Sequence, residues 1–254
     1  RKSWKKQLPK IQKTQMTVNR KTIKKKSAET EADTDNKENT DQAEDTTKET
    51  AAASGIVCWG DDLINGEESA TYSYMAVLQK LLTDNGYNLP VINKTLQGGG
   101  TLSMMKMAGV SDETLQGYIT KHQQAANGAQ LNVTETGIRD LTEEQTTRND
   151  TGYIPVIFMG YYGGWNHDPA ELGEQQEQIL NTFRTNPFIV VGTRPMDSSV
   201  SSDTLDQVLS QKWGEHYISL ANVTAQPSAT YEAQQAMAEA VLQKLQELNY
   251  ISKG

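Results

Sequence analysis

Two carboxylates stand side by side in Gly60-Asp61-Asp62, directly behind the apolar run Ile56-Val57-Cys58-Trp59. Adjacent carboxylates in a loop offer two chemistries. They ligate a hard cation such as Ca²⁺ or Mg²⁺ through oxygen, or they divide an acid and a base role between them. His167, in Asn166-His167-Asp168-Pro169, is a third titratable group in a loop. Plainer roles outweigh these: a solvated side chain for Asp62 and a loop residue beside a helix cap for His167. No metal and no cofactor are therefore expected. Trp59, Tyr161, Tyr162 and Trp165 fall near the same strand ends. Aromatic faces beside carboxylates suit sugars and other amphipathic ligands. Either all four face a ligand, or Trp59 and Tyr161 are core and only Tyr162 and Trp165 are exposed.

The apolar run from Gly55 to Gly60 reads as a buried strand of parallel-sheet type. Tyr74, Val77, Leu78, Leu81 and Leu82 then recur at helical spacing until Asn85-Gly86 stops the helix. Leu89 to Asn93 is a second strand. Gln97-Gly98-Gly99-Gly100-Thr101 is a glycine-rich turn that opens a short helix packed through Met104, Met105 and Met107. Ser111 caps a further helix with Leu115, Ile119 and His122 on its inner face. Asn127 to Gly137 alternates and predicts a small hairpin; Asp140 to Arg148 is polar surface. Tyr153 to Gly160, Pro187 to Gly192 and His216 to Leu220 complete the strands. Helices from Asp168, from Asp203 and from about Ser228 to Leu248 lie between and after them. His122 and His216 read as partly buried helix and strand residues. Strand and helix alternate, so the fold class is α/β: a three-layer sandwich with a mostly parallel, flavodoxin-like sheet. In such sheets ligands sit at the carboxyl ends of the strands, where Asp61 and Asp62 fall.

The chain has 254 residues, a net charge of -8 and 36% hydrophobic residues. The apolar deficit is concentrated in residues 1–53, which show no hydrophobic period. Arg1 to Lys26 holds eleven Lys and Arg and no acid, whereas Glu29 to Glu49 is rich in acid. Such a segment buries too little apolar surface to offset its ordering entropy and predicts a disordered charged tether. Residues 54–254 are long enough for one sizeable core. That part is acidic, which argues against nucleic acid as its partner. The basic block could meet anionic lipid or nucleic acid. A lone Cys58 excludes an intrachain disulfide, and no apolar run reaches the length of a membrane span. The chain begins at Arg, so a signal or anchor upstream of a low-complexity tether is expected, as in a cell-surface protein.

The order of these motifs resembles the GDSL/SGNH hydrolase family over roughly Gly55 to Tyr250, and the Gly163-Gly164-Trp165-Asn166 loop resembles a bacterial subgroup. The resemblance implies that the Asp of Gly-Asp, here Asp61, anchors the turn by hydrogen bonds, and that a nucleophilic serine follows it; Asp62 stands there. It implies an oxyanion glycine before Gly-Thr, which makes Gly99 the counterpart. A Gly-x-Asn block would supply a second oxyanion donor; Gly160-Tyr161-Tyr162 puts Tyr162 in the Asn position. The Asp-x-x-His block falls on Asn222-Val223-Thr224-Ala225, so Asn222 and Ala225 stand for the lost acid and base. Ester hydrolysis of this kind needs a hydroxyl activated by an oriented histidine. The expectation is a non-catalytic domain, extracellular or on a bacterial cell surface. It would bind a carbohydrate, a cell-wall component or a protein through Asp61, Asp62, Gly99, Tyr162, Trp165, Asn166 and His167. The alternative is an esterase or acyl hydrolase with a rearranged site using Asp62 or His167.

Overall fold

A computed structural model of the chain describes residues 53–61, 73–224 and 230–254. The expected tether, Asp62 and Ala225 lie outside the described residues. Among the described residues, five strands form one sheet: β1 (Ile56–Gly60), β2 (Val91–Thr95), β3 (Ile154–Phe158), β4 (Ile189–Val191) and β5 (Tyr217–Ile218). Their order is β2-β1-β3-β4-β5 and every pairing is parallel. This is the flavodoxin-like order that the strand-helix alternation predicts.

Alternation along β1 divides the interior. Ile56 and Cys58 face one layer with Tyr74, Leu78, Met237 and Val241, supplied by α1 (Tyr74–Asp84) and α9 (Tyr231–Glu247). Val57 and Trp59 face the other, with Leu102, Met105, Leu115, Leu172 and Leu209. That second layer is built by α2 (Gly100–Met107), α3 (Asp112–Ala126), α6 (Pro169–Leu180) and α7 (Ser202–Trp213). Because side chains alternate across a strand, a run buried on both faces must be apolar throughout, as β1 and β3 are. Pro155 is second in β3, opposite Val57, so its missing donor falls at the start of the strand.

Two expectations fail for local reasons. The second strand begins at Val91 rather than Leu89. Gln79 on α1 donates to the Leu89 carbonyl (3.1 Å) and accepts from the Val91 amide (2.8 Å), holding that stretch against the helix. The hairpin expected over Asn127 to Gly137 is absent, and α4 (Val133–Thr136) stands in its place. Asn132 accepts from the Glu135 amide (2.9 Å) and closes a helical turn. The remaining short helices are α5 (Glu143–Thr146), in the stretch read as polar surface, and α8 (Leu220–Val223), capped by Ser219.

Candidate functional site

The site is assembled where β1 and β3 end. Gly60 is required there: a Cβ would lie 2.3 Å from the Phe158 carbonyl oxygen. Asp61 follows, with no exposed surface. Its Oδ1 accepts from the amides of Gly160 (2.9 Å) and Tyr161 (3.2 Å), and its Oδ2 accepts from Tyr162 (3.1 Å). Its carbonyl accepts from the Gly98 amide (3.0 Å). One residue thus fastens the two loops that follow β2 and β3. Burial pushes the Asp61 carboxyl up to about 6, with the amides of Tyr162, Gly160 and Tyr161 pulling the other way. Asp61 therefore anchors the site from beneath and presents no surface to a ligand, which corrects its placement among the binding residues.

Gly99 is corrected in the same way. It is buried at the cap of α2, and its amide donates to the Leu96 carbonyl (3.0 Å). An oxyanion donor must offer that hydrogen outward. The neighbouring loops interlock instead: the Thr101 amide donates to the Gly163 carbonyl (2.9 Å), and a Cβ on Gly164 would lie 2.5 Å from Thr101 Oγ1. Gly163 and Gly164 both have positive φ, 99° and 93°, which glycine adopts without steric cost.

Beside this anchor lies a cleft of about 240 Å³. Its walls are the α4 turn, the loop from Gly160 to His167, and the segment from Pro195 to Asp197. Tyr162 is half-buried there, its ring perpendicular to that of Tyr161 with centroids 4.9 Å apart. Trp165 lines the cleft but is 1% exposed, its indole nitrogen donating to the Gly160 carbonyl (2.9 Å). The exposed Trp165 considered from sequence is thus a buried one, as Trp59 is. Asn166 and His167 both have positive φ, 50° and 55°, a conformation that costs a non-glycine residue energy. The Asn166 amide is held by Glu135 Oε2 (2.9 Å). His167 is exposed; its Nδ1 is in hydrogen-bond contact with Ser199 Oγ, and Asp197 Oδ2 lies 3.6 Å from the same nitrogen. Asn222 is exposed on α8 and is not among the described residues that line the cleft.

A second layer of the site escapes sequence reading. His122 is fully buried between two carboxylates. Its Nε2 contacts Glu171 Oε1, while its Nδ1 lies 2.9 Å from the Glu135 carbonyl and 3.3 Å from Glu135 Oε2. Glu135 Oε1 accepts from the Gly164 amide (3.0 Å), so the cluster ends on the cleft loop. Gln175 donates to the Gly164 carbonyl (2.7 Å), and Lys121 pairs with Glu171 (2.7 Å). Burial alone would lower the His122 pKa, but the Glu171 carboxylate and the Glu135 carbonyl raise it above its ordinary value. Burial alone would raise Glu171, but His122 and Lys121 hold it below the usual range. The sequence did contain one clue. His122 shares the inner face of α3 with Leu115 and Ile119, and an inward imidazole must find hydrogen-bond partners.

Among the described residues, no group of three or more His, Cys, Asp and Glu is arranged to hold a metal ion. The cleft does bring a hydroxyl, an imidazole and a carboxylate together. However, Ser199 and Asp197 approach the same ring nitrogen. A relay needs the carboxylate on one nitrogen and the hydroxyl on the other, so that the carboxylate fixes the tautomer that accepts the proton.

No family model matches the sequence, and no curated protein matches it. Among solved structures, the chain is similar to the crystal structure of TesA, with a TM-score of 0.46 and 15% identity over 76% of this chain and 99% of that one. It is also similar to AlinE4, an SGNH-hydrolase family esterase, with a TM-score of 0.40 and 17% identity over 78% of this chain and 97% of that one.

Proposed function

We propose that this protein is a non-catalytic relative of the SGNH hydrolases that binds a ligand in the strand-end cleft. In this reading it works at a cell surface or outside the cell, on a carbohydrate, a cell-wall component or a protein. The observation that carries the reading is the shared nitrogen: Ser199 and Asp197 both meet Nδ1 of His167. In that geometry Asp197 competes with the hydroxyl for the imidazole instead of orienting it. The sequence points the same way, with Asp62 in the serine position and Ala225 in the histidine position. The engaged amide of Gly99 supports the reading as well, since it is turned into the fold.

The test is turnover of a short-chain acyl ester by the full chain, alongside labelling by a fluorophosphonate. Hydrolysis at the rate of buffer alone and no label are expected. Turnover abolished by Ser199→Ala or by Asp62→Ala would replace this reading with that of an esterase having a rearranged site. Ligand binding is read separately on arrays of glycans and cell-wall fragments, where Tyr162→Ala should remove the signal.

A further inference from the structure

The cleft wall spends its own polar groups. Asn132 Oδ1 accepts from the Glu135 amide (2.9 Å) and from Thr134 Oγ1 (2.6 Å). Thr134 Oγ1 also lies 2.7 Å from the Tyr162 carbonyl, so its one hydrogen is shared between that oxygen and Asn132 Oδ1. Glu135 gives one carboxylate oxygen to the Gly164 amide and the other to Asn166, with His122 beside it. A ligand recognised through many hydroxyls would find these groups already engaged. The rest of the cleft lining is aromatic, apolar and anionic. Tyr161 and Tyr162 stand at 80° to one another. The rim carries Val133, 75% exposed, and Met196, 57% exposed. Asp197 has about half of its side chain exposed, and one of its oxygens is engaged by the Ser199 amide (3.0 Å). Among the described residues that line the cleft there is no Lys and no Arg.

Each of these features selects for the same ligand chemistry. The faces of tyrosine rings carry negative quadrupole charge, which attracts a cation and repels an anion. Methyl groups on that cation bury against Val133 and Met196. Asp197 is held by Ser199 and lies 3.6 Å from the His167 ring, and the exposed half of its carboxylate faces an incoming cation. Resting on the cleft-binding reading above, we infer that the ligand is recognised through an alkylammonium group, set against Tyr162 with Asp197 as its counter-charge.

The test compares choline with 3,3-dimethyl-1-butanol, which has the same shape and no charge, by calorimetry on the full chain at constant ionic strength. Choline should bind about tenfold or more tightly than the alcohol. Tyr162→Leu should weaken choline about tenfold, and Asp197→Asn should reduce the discrimination several-fold while leaving the alcohol unaffected. Circular dichroism and the unfolding midpoint establish that each variant is folded. Equal affinity for the two probes would overturn the inference while the cleft remained a binding site. Failure of choline to bind at millimolar concentration would also overturn it. In that case the glycan and cell-wall arrays decide separately whether the cleft binds anything.

Discussion

Asp61 determines the shape of the cleft without touching it. Its carboxyl is raised from 3.8 to about 6 by burial, so the fold favours the neutral form. A group raised in this way adds stability that is fully present below its unfolded pKa and lost as pH climbs through the folded one. Asp61 should therefore cost the protein about 3 kcal/mol between pH 3.8 and about 6, from the size of the shift. Asp61→Asn removes that titration. It also turns an amide donor toward the Tyr162 N–H, which costs about 1–3 kcal/mol at any pH. Urea unfolding of both proteins across this range should show a variant that is less stable near pH 4 and has a flatter profile, so that the two curves converge toward pH 6. An unchanged profile would mean that Asp61 is not the titrating group. The turn-anchor role of Asp61 was legible only through the resemblance of Gly60-Asp61 to the hydrolase family's motif; the residue types alone left it open to ligand binding. Sequence could not show that Gly99 turns its amide inward. A glycine-rich turn looks the same in sequence whichever way its N–H bonds point.

At the scale of elements, α3, α4 and α6 hold the cleft loop through ions. His122 is raised above 6.5, and the stability it adds is present below that value and lost as pH rises through its folded pKa. Glu171 is lowered below 4.5, and its contribution is present above that value and lost as pH falls through its folded pKa. The pair is therefore fully charged, and the loop most firmly held, between about pH 4.5 and 6.5. Hydrogen exchange at the Gly164 and Asn166 amides, which end on Glu135, should be slowest in this window. His122→Gln should remove the alkaline dependence. It should also destabilise the protein by about 3–5 kcal/mol, because Glu171 and Glu135 lose the charge between them. Exchange at those amides that ignores pH would show that the cluster does not restrain the loop. These elements were half legible. The Ser111 cap and the inner face of α3 are local signals, and the structure has both. The hairpin expected at Asn127 to Gly137 rested on alternation between Leu131 and Val133. Alternation specifies a strand only when one face is buried; Val133 is 75% exposed, and the Asn132 cap prevails.

For the whole molecule, one sheet separates two apolar layers, and the cleft belongs to only one of them. This division was legible because β1 and β3 are apolar at every position, which requires cover on both faces. The side of the sheet that carries the cleft was not legible, since it depends on which helices cross to which face. The layers make separable contributions. Leu78 is fully buried in the layer of α1 and α9, away from the cleft. Leu172 is equally buried in the opposite layer and packs under the cleft loop, where a Cβ on Gly160 would lie 2.9 Å from its Cδ2. Truncation to alanine leaves a cavity at either position and should cost about 2–5 kcal/mol. Both variants should unfold in one transition, because the shared sheet couples the layers. Below their unfolding midpoints they should differ: Leu78→Ala binds in the cleft like the unmodified chain, whereas Leu172→Ala binds several-fold more weakly as the loop sinks into the cavity. Equal loss of binding in the two variants would show that the cleft responds to stability as a whole, and that its shape is not set by the layer beneath it.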